Sequence, residues 1–161
     1  MVALLVLYAW ASGRTHAAMD DAWVIEDAAL VEPLTAACDE MKRSLAGLAP
    51  PPSGAPTDVA ASMAAQDAAV AAMIARDRAI GPETLDSDPP ALDWLADWEA
   101  LLRARGDTEH ALLAGPAGPG GRSVAIIVPQ TEDGYPITAR MADALPACAV
   151  PSVLLEPPRP G

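Results

Sequence analysis

The sequence predicts a mainly α fold: a small antiparallel three-helix bundle, with an irregular, partly extended C-terminal arm over residues 115–161. Three observations predict it. Apolar residues recur at three- and four-residue steps in three long stretches, the signature of amphipathic helices. Hydrophobic residues make up 52% of the 161, yet aromatics only 4% and Phe is absent, so Ala, Leu, Val, Met and Trp must build the core. Six of the 17 prolines fall between 136 and 160, where they rule out a further long helix.

Residues 1–13 contain an unbroken apolar run, Val2 to Ala11, ending at Ser12-Gly13-Arg14. A bilayer span takes roughly 20 apolar residues, so this run is about half long enough. It is expected to be part of a membrane anchor, with Leu4, Leu5, Val6 and Leu7 at its centre and the native start upstream of Met1. A shortened signal peptide and a buried element of a soluble domain are the alternatives. Arg14 is the only base before Lys42, whereas seven acids lie between them, and flanks poor in Lys and Arg tend to be translocated. Residues 14–31 read as a linker or short helix leading into the bundle of residues 32–114.

The first helix is predicted over 32–48, with Pro33 at its start and a stripe of Leu34, Ala37, Cys38, Met41, Leu45 and Leu48. Asp39 and Arg43 stand at i and i+4, the favourable order for an ion pair. The proline-rich stretch 49–56 ends it. The second helix should run from Asp58, capped by Thr57 or Asp58, to Ile80, where Gly81-Pro82 stops it. Val59, Met63, Gln66, Val70, Met73, Ile74 and Ile80 form its stripe, and Ala fills most other positions. The third begins behind Asp88, a good N-cap, and Pro89-Pro90. It carries Leu92, Leu95, Trp98, Leu101, Leu102 and Arg105 before Gly106 ends or weakens it, with 107–114 a possible further turn or two. Beyond the break at 115–121, the run Val124 to Val128 reads as a short strand, Asp133-Gly134 as a turn, Ile137 to Leu145 as a short helix, and Ala149 to Leu155 as extended.

Ten bases against 22 acids leave a formal charge of −12, which argues against nucleic acid as a partner. The Gly-rich loop 115–123 looks like a phosphate-binding loop only in composition. It lacks the Lys after its last Gly, two prolines remove N–H donors, and it leads from helix to strand, the reverse of the required order. Asp86, Asp88, Asp93, Asp97 and Glu99 crowd a helix start, where the dipole favours acids. Asp93 and Asp97 share a face, but no His, Lys or Ser is marked as their partner. Neither a catalytic set nor a metal or cofactor site is therefore assigned. Trp94 and Trp98 form an aromatic ridge that, with Leu102, is assigned to the core, with Arg105 reaching back to stack on Trp98. Cys38 and Cys148 are the only thiols. In an exported chain they read as one disulfide clamping the C-terminal arm to the first helix.

The segment Pro89 to Trp98 with Arg105, and Asp133 to Thr138 with Arg140 and Met141, resemble a group of small proteins of high-GC actinobacteria. The resemblance covers about residues 30–151 and implies an N-terminal membrane anchor ahead of an exported helical segment; it implies no activity. The leading expectation is a membrane-tethered, non-enzymatic domain on the outer side of the cell membrane, binding or scaffolding an envelope protein. A hydrolase-like or small-ligand-binding domain using Asp93, Asp97 and the Trp94/Trp98 ridge is the runner-up, and a cytosolic helical bundle the third reading.

Overall fold

The computed structural model describes residues 23–115 and 125–159. The apolar segment with Leu4, Leu5, Val6 and Leu7, and the loop 116–124, lie outside the described residues. The architecture is a helical bundle of α1 (Ala28–Ala46), α2 (Pro56–Arg78), the short α3 (Pro82–Asp86), α4 (Pro90–Ala114) and α5 (Ile137–Ala144).

Helix α1 starts four residues before the expected 32. Asp27 is its N-cap, with Oδ1 accepting from Ala29 N at 2.9 Å. Pro33 thus lies inside the helix, where its missing N–H leaves one backbone bond unmade. The expected Asp39–Arg43 pair is not among the ion pairs of the described residues; Glu40 instead takes Arg76 of α2. Neither Thr57 nor Asp58 caps α2. Ala55 is the N-cap, and Ser53 stabilises the entry by donating to Asp58 Oδ2 at 2.5 Å and accepting from Ala55 N at 3.1 Å.

Asp88 does not cap α4 with its side chain. Its Oδ2 instead accepts from Glu26 N at 2.8 Å and Asp27 N at 2.9 Å, so it joins the start of α1 to the start of α4. Helix α4 runs straight through Gly106 to Ala114. Arg78 pairs with Glu99 and Asp67 with Arg105, so positions rise along α2 as they fall along α4, and the two helices are antiparallel.

The largest departures lie in the C-terminal segment. Residues 125–129 form no strand: among the described residues the only pairing is an isolated antiparallel bridge between Gln130 and Pro136, around a turn with Gly134 at φ 83°. A β-branched run has no sheet to join in an all-helical bundle, so it packs as a coil, with Ile126 against Val59, Met63 and Leu112. Residues 149–155 likewise are not extended throughout; 3-10 turns occupy Pro146–Cys148 and Ser152–Leu154.

This segment is part of the bundle. Helix α2 packs on α1 and on α4, α5 packs on α4, and the Pro146–Cys148 turn packs on both α5 and α1. The ring is thereby closed. Ile137, Met141, Ala144, Leu145, Cys148 and Leu154 are buried in one cluster with Leu30, Leu34, Met41, Met73, Trp94 and Trp98. Among the described residues one helix, Pro56–Arg78, is long and apolar enough to cross a membrane. Here its apolar stripe is spent on α1 and α4, and both of its outer flanks carry ion pairs.

Candidate functional site

The Trp94/Trp98 ridge is not a surface platform. Both rings are buried, at 1% and 0% exposure, and they meet edge to face with centroids 6.1 Å apart and planes at 82°. Such a pair contributes packing area plus a favourable quadrupole contact. Leu102 is half-buried against the same core. The two acids of that helix part company: Asp93 is exposed, whereas Asp97 is buried and bound to Arg140 of α5.

That ion pair is bidentate, with Arg140 Nε donating to Asp97 Oδ2 at 2.8 Å and Nη2 to Oδ1 at 2.5 Å. Both carboxylate oxygens are engaged, so Asp97 serves to hold Arg140 rather than to move protons. The hydrogen bond with Asp97 holds the Arg140 guanidinium above its ordinary range, with burial opposing and the charges of Asp97, Asp93 and Asp133 adding to it. The guanidinium also lies over the Trp23 ring, 5.4 Å from its centroid.

Around this pair opens a cleft of about 940 Å³. Trp23, Arg140, Tyr135, Glu132, Asp133 and Asp143 line it. Trp23 and Tyr135 are the exposed rings, at 45% and 47%. The Tyr135 hydroxyl donates to Asp143 Oδ2 at 3.0 Å, and that bond to a carboxylate raises the phenol's pKa. The cleft is built by α5, by the 130–136 turn and by the chain ahead of α1, which Ile25 N secures to Ala144 O at 2.9 Å. Tyr135 and Arg140 stand in the segment that carries the resemblance, whereas no pattern in the sequence marks Trp23 or Asp143. The i, i+8 spacing of Tyr135 and Asp143 spans a turn and a helix, and no periodicity marks it.

A second polar cluster sits between α2, α4 and the C-terminal turn. Arg105 is fully buried, and rather than stacking on Trp98 it donates to Asp67, to Gln66 Oε1 at 2.8 Å and to the Leu154 carbonyl at 2.6 Å. Burial, followed by the neighbouring Asp67 carboxylate, raises the pKa of Glu109 one turn further on. All three Arg105 contacts tie elements together, so this cluster is a fastening. Cys38 and Cys148 are disulfide-bonded with Cα atoms 5.6 Å apart, a second fastening between α1 and the C-terminal segment. Among the described residues no group of three or more His, Cys, Asp or Glu is placed to hold a metal.

Compared with protein-family models, curated proteins and solved structures, the chain matches none.

Proposed function

We propose that this chain is an exported binding domain, tethered to the cell membrane through its N-terminal apolar segment, which engages an envelope partner in the cleft beside Arg140. The cleft carries the binding part of this reading. It presents two exposed aromatic rings on a floor made rigid by the Asp97–Arg140 pair, and a rigid, aromatic-lined concavity is what recognition favours. The disulfide supports the export part, because such bonds persist mainly in oxidising compartments. The apolar run at 2–11 and the base-poor flank behind it support the tether.

The test is fractionation of the native host with thiols trapped by alkylation at lysis. Recovery in the membrane fraction, with Cys38 and Cys148 protected until reductant is added, is the expected result. Recovery in the soluble cytosol with both thiols alkylated would remove export and tether together.

A further inference from the structure

Resting on the binding reading above, we infer that the cleft beside Arg140 takes a basic side chain, Lys or Arg, carried on a peptide segment of the partner. The argument is one of charge and geometry. Arg140 is the only base among the described residues that line the cleft, and the bidentate bond to Asp97 and its seat over Trp23 already satisfy it. Glu132, Asp133 and Asp143 also line the cleft; the charge of Asp133 acts on Arg140, and among the described residues none of the three is in an ion pair. Beside these stand the exposed Trp23 and Tyr135 rings. Acids beside aromatic faces suit a cation with an aliphatic stem, which gains both ion pairing and ring contact. The Tyr135–Asp143 hydrogen bond holds one ring and one acid in fixed relation before any ligand arrives. At about 940 Å³ the cleft has room for several residues of an extended chain, more than one amine would fill. The chain's charge of −12 draws a basic partner in from a distance.

The experiment titrates the oxidised full chain with four probes: tetralysine, the same peptide acetylated on every lysine, spermidine and tetraglutamate. Binding is read by calorimetry and by NMR shifts of the Trp23 indole and Arg140 side chain. The expected result is tetralysine binding that shifts both signals, weakened about tenfold by Trp23→Ala or by Asp133→Asn with Asp143→Asn, and abolished by acetylation. Glu83→Gln with Asp86→Asn removes two exposed acids outside the cleft lining and serves as the charge control. An equal loss in that control would show attraction by net charge alone and overturn the proposal. Spermidine binding as tightly as tetralysine would overturn the peptide assignment. Cleft signals that move with the acetylated peptide or with tetraglutamate instead would overturn the cationic ligand while leaving a binding cleft. Failure of every probe to move them would overturn both.

Discussion

Asp77 is the residue whose surroundings conflict most with its chemistry. It lies on the buried stripe of α2 at 1% exposure, and neither carboxylate oxygen has a hydrogen-bond partner. The neighbouring Arg78–Glu99 pair puts it level with the part of α4 that carries Trp98, whose indole N–H is also unpartnered. Burial pushes its pKa up to about 7, against the lowering effect of Arg76. The folded-state value exceeds the unfolded one, so its contribution to stability is whole below about pH 4 and is lost as pH rises toward 7. The loss runs at up to ~1.4 kcal/mol per pH unit. Unfolding free energies of wild type minus Asp77→Asn, taken from urea titrations across pH 4 to 8, should therefore fall with rising pH and level off near neutrality. A flat difference would mean the carboxyl is solvated. Arg105 is the opposite case, a buried charge with every contact directed. Arg105→Met strips Asp67, Gln66 and the Leu154 carbonyl of their donor at once and should cost about 3 kcal/mol or more. Arg105→Lys keeps the charge without the fork and should recover only part of that. Faster amide exchange around Leu154 in both variants is the local sign to look for.

The helices owe their existence to pattern and their ends to partners. The stripes of α1, α2 and α4 recur at helical spacing, and most of their residues are buried, such as Leu34, Cys38 and Met41 in α1 and Val70, Met73 and Ile74 in α2; Leu48, beyond the end of α1, and Leu92 on α4 are exposed. The start of α1 could not be read that way. Its backbone N–H groups at 26 and 27 are satisfied by Asp88, some sixty residues on, and no local signal announces such a partner. Gly106 illustrates the same limit from the other side. A lone Gly lowers helix propensity by under 1 kcal/mol or so, too little to stop a helix whose two halves are both anchored by packing. A Cβ at this position would meet nothing within 4 Å. Gly106→Ala should accordingly raise stability by about 0.5–1 kcal/mol, seen as a higher urea midpoint with an unchanged slope. The C-terminal segment reads as an arm because its prolines and short apolar runs offer no long period. It nonetheless supplies α5 and six side chains to the shared core, since the ring of α1, α2 and α4 is open without it.

For the whole molecule, the Cys38–Cys148 bond closes a loop with a sequence separation of 110. The chain-entropy account gives on the order of 4–5 kcal/mol for a loop of that size, as an upper figure. Because Cys148 is buried in the core rather than on a loose arm, reduction should weaken the entire bundle instead of freeing only its C-terminal end. Thermal unfolding with and without reductant, followed by helical circular dichroism, checks this. A single transition shifted downwards is expected, and loss of the C-terminal signals with an unmoved helical transition would contradict it. The sequence by itself determined the helical class, the course of the three long stripes apart from Leu48 and Leu92, which are exposed, and the one partner each thiol can find within the chain. Each rests on one-dimensional order, either a period along the chain or a count of two. Only the tertiary structure decided that Asp97 is taken by Arg140, and that Trp23, Tyr135 and Asp143 line one cleft. Those residues are brought together by the docking of α5 on α4 and by the chain ahead of α1. Contacts between separate elements, such as Asp97 and Arg140 at a sequence separation of 43, leave no period to read.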